Sequence, residues 1–97
     1  MATYILLANF TEQGIRSVKE TLKRAEAFKE AAGKFGVKVK DLYWTLGRYD
    51  LVVTVEGPGD QAVTALGLAL GSLGNVRTQT LRAFDPGEMK QILDKMA

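Results

Sequence analysis

The hydrophobic positions divide the chain into strand-like and helix-like segments. Apolar residues are consecutive or alternate in the predicted strands, and they recur every three or four residues in the predicted helices. The predicted strands are residues 3–10, 37–46, 51–56 and 76–84, and the predicted helices are residues 11–35, 61–73 and 86–96. This order predicts an α+β, ferredoxin-like βαββαβ fold with a four-stranded antiparallel sheet and a C-terminal helix.

The first predicted helix has an apolar stripe and a charged face. The stripe, with spacings of three and four, consists of Ile15, Val18, Leu22, Ala25, Phe28, Ala32 and Phe35. The basic residues of this region alternate with glutamates, so we assign them to a solvated face: Lys19, Lys23, Arg24, Lys29, Lys34, Lys38 and Lys40. Gly14 and Thr21 argue against one unbroken helix, and we expect a second segment to begin at Thr21.

Capping and turn residues mark the segment boundaries. Thr11 and Asp60 are expected to cap the first two predicted helices, and Pro86 suits the first position of the third. The run Gly47-Arg48-Tyr49-Asp50 lies between two apolar segments and predicts the turn of an antiparallel hairpin. We expect Gly47 to have a positive φ, which glycine adopts without steric cost.

The first predicted strand is apolar on both faces. Ile5 and Leu7 lie on one side, whereas Leu6 and Ala8 lie on the other. A sheet with one solvated face would alternate more cleanly, and the two helices between strands cover only one face. We therefore expect a homodimer or higher homo-oligomer, a dimeric α+β barrel, that Leu6→Glu would disrupt. The alternative is a monomer with a few exposed apolar residues.

Several segments resemble a known family. Residues 46–53 (LGRYDLVV), followed by Glu56-Gly57-Pro58, are similar to the signature of the GYD domain family, and similar segments are residues 10–15, 23–25, 71–78 and 80–84. The resemblance covers most of the chain. It implies a single GYD-like, ferredoxin-like domain over residues 1–97 and the dimeric α+β barrel group, but it implies no activity.

Composition excludes several chemistries. The 97 residues include no cysteine and no histidine, which excludes a thiolate nucleophile, a zinc ribbon and a Ser-His-Asp triad. The sequence has no acidic cluster for a metal, so we expect neither metal nor cofactor. The net charge of +2 is spread among mixed signs, which does not favour a nucleic-acid partner. No apolar stretch is long enough to span a membrane, and we expect a cytoplasmic protein without a membrane partner.

Polar and aromatic residues of the strands and the hairpin turn form a speculative ligand-binding set. Its members are Tyr4, Asn9, Tyr43, Trp44, Arg48, Tyr49, Asp50 and Arg77. An arginine can bind an anion and an aspartate can accept a proton. For the turn we favour a structural role, and for Tyr43 and Trp44 a place in the core or an interface.

The predicted function is a small-molecule-binding or regulatory homo-oligomer. The alternative is a cofactor-independent enzyme, monooxygenase- or isomerase-like, that acts on an apolar small molecule. That enzyme would need tyrosine, asparagine or arginine side chains converging in a cavity. A third hypothesis is an assembly module that uses its sheet edge. The sequence specifies neither a ligand nor a reaction.

Overall fold

A computed structural model describes residues 1–96. The strands are β1 (Ala2–Phe10), β2 (Lys38–Trp44), β3 (Leu51–Gly57) and β4 (Val76–Ala83). The α-helices are α1 (Glu12–Arg16), α2 (Thr21–Lys34), α3 (Asp60–Ser72) and α4 (Pro86–Asp94), and a 3₁₀ turn, Val18–Glu20, joins α1 to α2. Each predicted segment is present, with ends that differ by a few residues from the predicted ones.

The four strands form one antiparallel sheet in the order β2-β3-β1-β4. β1 is central and pairs with β3 on one side and β4 on the other. β2 and β3 form the predicted hairpin, with a bulge at Lys40 between Val39 and Asp41. This topology, with α2 and α3 as the crossover helices, confirms the ferredoxin-like fold.

The break in the first predicted helix shifts which side chains are buried. Thr11 caps α1, since its hydroxyl accepts a hydrogen bond from the Gly14 N–H at 3.0 Å. Beyond the 3₁₀ turn, α2 buries Ala25 and other members of the predicted stripe. Ile15 and Leu22 were wrongly placed in it, because they are 50% and 67% exposed. The 3₁₀ turn has a different pitch and separates Ile15 from the regular spacing of α2, whereas Leu22 lies in the first turn of α2, before its first buried residue, Ala25.

The core lies between the sheet and the helices α2 and α3. Leu6 and Val55 from the sheet pack there with Val63 and Leu66 of α3. The assignment of Leu6 to the dimer face, on which the prediction for Leu6→Glu rested, was therefore wrong, because Leu6 faces the helices. That change would instead place a carboxylate in the core.

The remaining helices begin differently. Gly59, not Asp60, occupies the cap position of α3, and Asp60 is the first helical residue. Asp85 caps α4 and forms a reciprocal capping box with Glu88. α4 buries none of its residues and packs extensively against no other element of residues 1–96. The described chain accordingly extends over 52 × 30 × 18 Å.

Candidate functional site

The hairpin turn is held to the end of β1 by Asp50. Its Oδ2 accepts a hydrogen bond from the Phe10 N–H at 2.8 Å, and its own N–H donates to the Ala8 carbonyl at 2.9 Å. The Thr45 N–H donates to the Asp50 carbonyl at 2.8 Å, which closes the hairpin. Gly47 has a φ of +114°, so the predicted positive φ is confirmed. These contacts support a structural role for the turn.

Tyr49 connects the same turn to β4. Its hydroxyl donates to Gln79 Oε1 at 3.2 Å, and the Arg48 guanidinium lies 5.7 Å from the centre of its ring. Gln79 pairs with Leu7, so it lies on the sheet face opposite the helices. Tyr49 thereby links the two hairpin strands to the far edge of the sheet.

The other candidate residues are divided between the two sheet faces. Tyr4 lies on the helix side, where its hydroxyl donates to Asp60 Oδ1 at 2.5 Å. This hydrogen bond holds the pKa of the Tyr4 phenol above its ordinary value, because it stabilises the protonated form. Trp44 is also on the helix side, and its Nε1 donates to Thr21 Oγ1 at 2.9 Å.

Three candidates lie on the opposite face. Asn9 pairs with Arg77 across β1 and β4, and Tyr43 pairs with Val52 across β2 and β3. All of them share the face of Leu7, because cross-strand partners project to the same side. The structure therefore does not bring the predicted ligand-binding set together into one cavity.

The sheet face opposite the helices has an apolar patch at its centre, and we call this patch the open face. It consists of Ile5, Leu7, Tyr43, Val52 and Leu81. The pairings Ile5 with Leu81 and Leu7 with Val52 make the patch continuous across three strands. Tyr43 is 62% exposed and Leu81 is 46% exposed. No other element of residues 1–96 covers this patch.

A cavity of about 480 Å³ lies on the other side of the sheet, between α2, α3 and the strands. We call it the helix-side cavity. Its sheet wall includes Leu6 and Val53, and the helices contribute the small side chains of Ala27, Ala31 and Ala69. Alanines at these positions leave the space between the helices unfilled. Most of its lining is therefore apolar.

Arg24 is the one charged residue among those that line this cavity. Its Nη2 donates to the carbonyls of Gly14 and Ser17, at 3.1 and 3.0 Å, and the guanidinium lies 5.9 Å from the centre of the Phe10 ring. Its Nη1 is buried and has no hydrogen-bond partner within residues 1–96. The assignment of Arg24 to a solvated face was wrong. Its position four residues before Phe28 on α2 was the available signal, because such neighbours share a helix face.

Residues 1–96 provide neither of two other kinds of site. No group of three or more acidic side chains is arranged to hold a metal ion. None of the described helices has the length and apolar character needed to cross a bilayer.

Comparison with known proteins places this architecture in a family. The model of the GYD domain matches residues 4–93. The chain belongs to the GYD domain family. A relative from Thermus thermophilus, named as a glutamine synthetase and cystathionine beta-lyase binding protein, is 36% identical over 90 residues. The match covers 92% of this chain and 95% of the relative.

The motif of this GYD domain is a set of structural contacts at one end of the sheet. Gly47 allows the turn, Tyr49 reaches β4 and Asp50 holds β1. The carboxylate of Asp50 already accepts a backbone hydrogen bond. What the geometry offers for binding is elsewhere, in the open face, the exposed α4 and the helix-side cavity.

Proposed function

We propose that this GYD domain protein is a regulatory binding module that acts as a homodimer, in which each copy covers the open face of the other. The observation that carries the proposal is the continuous apolar patch of the open face. Such a patch, with the helices all on the other side, is typical of an interaction surface. Burial of Leu7 and its neighbours against an identical patch would remove it from water.

A second copy is the simplest cover for this face. A two-fold axis places the same patch on both sides of the interface, so the apolar centre meets an apolar centre. Two sheets packed in this way lie about 10 Å apart and interdigitate their side chains. The result is the α+β barrel that the resemblance implies.

We further propose that the dimer binds metabolic enzymes through α4. The name of the Thermus thermophilus relative supports enzymes as the partner class. Met89, Leu93 and Met96 are exposed along one side of this helical segment, and α4 packs extensively against no other element of residues 1–96. An amphipathic helix of this kind docks its apolar side into a groove on a partner. Such partners are consistent with a cytoplasmic location, and we propose no nucleic-acid or membrane partner.

No observation favours the enzymatic alternative. That hypothesis required tyrosine, asparagine or arginine side chains to converge in a cavity. Tyr4 lies on the helix side with its hydroxyl bonded to Asp60, whereas Asn9 and Arg77 lie on the opposite face. The residues named for this enzyme are therefore divided between the two sheet faces, and Asn9, Tyr43 and Arg77, which share the face opposite the helices, do not line the helix-side cavity.

Sedimentation velocity at micromolar concentration tests the homodimer. We expect the wild type to have twice the chain mass of 10.6 kDa. Leu7→Lys should sediment as a monomer, because it places a charge at the centre of the interface. Leu68→Lys is the matched control, since Leu68 is an exposed leucine of α3 on the helix side, and it should remain a dimer. A monomeric wild type, or a dimeric Leu7→Lys, would refute the proposed interface.

Titration of purified glutamine synthetase and cystathionine beta-lyase from the same organism tests the partner class. We expect saturable binding of at least one enzyme, and Leu93→Glu should weaken it by about tenfold or more. Gln91→Glu introduces the same charge on the opposite side of α4 and should leave the affinity unchanged. Binding of neither enzyme, or equal effects of the two variants, would contradict this part of the proposal.

A further inference from the structure

We propose that the helix-side cavity is a binding site for an elongated apolar molecule with one carboxylate, and that the carboxylate pairs with Arg24. This site goes beyond the proposed function, because it needs neither a second copy nor a partner enzyme. It lies on the side of the sheet opposite the open face, so dimer formation through that face leaves it accessible.

The size and lining of the cavity fit an apolar molecule. Its volume of about 480 Å³ is in the range of small-molecule sites, which is roughly 300–1,000 Å³. Ala27 and Ala31 of α2 and Ala69 of α3 line it without filling it. Water molecules in this cavity would make few hydrogen bonds, because the apolar wall offers them few partners. A hydrocarbon chain would instead restore the dispersion contacts that the open space lacks.

The charge of Arg24 specifies the polar end of the ligand. Nη2 is already engaged by the carbonyls of Gly14 and Ser17, whereas Nη1 is buried and unpartnered within residues 1–96. None of the ion pairs in that part of the chain includes Arg24. A buried N–H of a charged group is costly to leave without an acceptor, and a carboxylate oxygen would accept the free Nη1–H and supply a counter-charge for the partly buried guanidinium.

Three other polar side chains of the lining already make hydrogen bonds. Thr21 Oγ1 accepts from Trp44 Nε1, and Ser72 Oγ donates to the Ala69 carbonyl. Asn75 Oδ1 accepts from the Gln13 side chain. Arg24 Nη1 is therefore the one buried side-chain donor of the lining without a partner in residues 1–96, and most of the remaining lining is hydrocarbon. This combination favours a fatty-acid-like monocarboxylate over a sugar or a polyanion, whose further polar groups would find no partner.

Tryptophan fluorescence can report binding without a label. Trp44 is the only tryptophan of the chain, and its indole is bonded to Thr21, which lines the cavity. We would titrate the protein with decanoate and, separately, with decanol, both below the concentrations at which they aggregate. Decanoate should bind saturably and change the Trp44 emission. Decanol, which lacks the charge, should bind about tenfold or more weakly.

Variants separate the charge from the cavity. Arg24→Met should weaken decanoate binding by about tenfold and leave decanol unaffected. Lys23→Met is the matched control, because the Lys23 side chain is 85% exposed on the same helix, and it should bind like the wild type. Because Arg24 also holds two backbone carbonyls, its loss could unfold the chain. Ala31→Phe therefore fills the cavity with Arg24 intact, and it should abolish binding of both probes.

Three results would overturn the site: no saturable binding of decanoate, equal affinities for decanoate and decanol, or wild-type affinity in Ala31→Phe. The mass of each sample, measured alongside, keeps this inference separate from the proposed function. A monomer that binds decanoate through Arg24 refutes the homodimer and supports the cavity site. A dimer that does not bind decanoate refutes the cavity site and supports the homodimer.

Discussion

Gly47 occupies a backbone conformation that other residues rarely adopt. Its φ is +114°, and no heavy atom lies within 4 Å of the position where a Cβ would stand. A side chain at this position would therefore destabilise the fold through backbone strain and not through a steric clash. The hairpin turn depends on this conformation, because Asp50 must reach both Phe10 and Ala8 at the end of β1.

Gly47→Ala should lower the free energy of unfolding by about 1–3 kcal/mol, the usual cost of holding an L-residue in such a region. Chemical denaturation followed by circular dichroism measures this. Gly33→Ala is the control, since Gly33 lies within α2 with open space where its Cβ would be. It should not destabilise the protein, because alanine favours a helix more than glycine does. Equal denaturation midpoints for Gly47→Ala and the wild type would contradict the strain argument.

The sequence predicted individual residues well only where their role is local. Gly47 was predicted correctly because a turn between two apolar segments requires a flexible residue within it. The partner of Tyr4 was not predictable, because Asp60 lies 56 residues away and meets it only after α3 packs. The partial burial of Arg24 was missed because its basic neighbours are solvated and residue type alone does not distinguish it from them.

α4 depends on its own local interactions. Asp85 caps it, Glu88 completes the capping box, and Arg82 pairs with Glu88 at 2.9 Å. Isolated helices of this length are marginal in water, since few hydrogen bonds offset the cost of nucleation. We therefore expect α4 to be the element whose helical content responds most readily to changes in these contacts.

The charge of Glu88 should make α4 sensitive to acid. The hydrogen bond from Arg82, and then that from the Asp85 N–H, hold the pKa of Glu88 below its ordinary value of 4.5. Because the pKa of Glu88 is lower in the folded chain than in the unfolded chain, its carboxylate stabilises the fold at pH values above 4.5. This stabilisation is lost as the pH falls through the lowered pKa of the folded chain. Backbone chemical shifts of α4 should stay helical at neutral pH and lose helical character in acid.

Glu88→Gln should remove this pH dependence, because an amide does not titrate. The two hydrogen bonds reach different carboxylate oxygens of Glu88, and the single amide oxygen of glutamine can accept only one of them, so α4 should have a lower helical content that is the same at neutral and acid pH. Asp94→Asn, which removes another carboxylate of the same helix, should retain the pH dependence. An α4 that keeps its helical shifts in acid in the wild-type protein would show that Glu88 does not stabilise it.

At the level of elements, the sequence predicted the type and order of every segment but not the orientation of β1. Segment types follow from local periodicity and from residues such as Thr11 and Asp85 that begin helices. Leu6 and Leu7 are chemically identical, so the apolar pattern of β1 did not show which of them faces the helices. That choice depends on which side α2 and α3 cover, and this is a property of the whole sheet.

On the scale of the whole molecule, residues 1–96 leave apolar surface uncovered on one side of the sheet and apolar space unfilled on the other. The open face lies on one side and the helix-side cavity on the other. Both follow from a two-layer fold of 97 residues, because the helices cover one face and their small side chains do not fill the space beneath them. The proposed homodimer would cover the open face, and the proposed carboxylate ligand would fill the helix-side cavity.

The proposed homodimer predicts that thermal stability depends on protein concentration. Association stabilises only the folded chain, so the Tm of the wild type should rise by about 5 °C across a hundredfold concentration range. Differential scanning fluorimetry can follow Trp44 for this purpose. The Tm of Leu7→Lys should not vary with concentration, whereas that of Leu68→Lys should vary as in the wild type. A wild-type Tm that is independent of concentration would argue against an obligate dimer.

The hydrogen bonds of Asp50 have a consequence for strand alignment. In a sheet with one polar face, a slip of one residue is prevented because it would bury polar side chains. At the centre of β1 this safeguard is weak, since a slip would exchange Leu6 for Leu7, and only Thr3 and Asn9 near the strand ends would carry polar groups to the helix side. The carboxylate of Asp50 meets the Phe10 N–H in one alignment only, and the same is true of Tyr4 and Asp60. The aspartate of the GYD motif thus helps to fix the register of β1, because the hydrophobic pattern of this strand does not fix it alone.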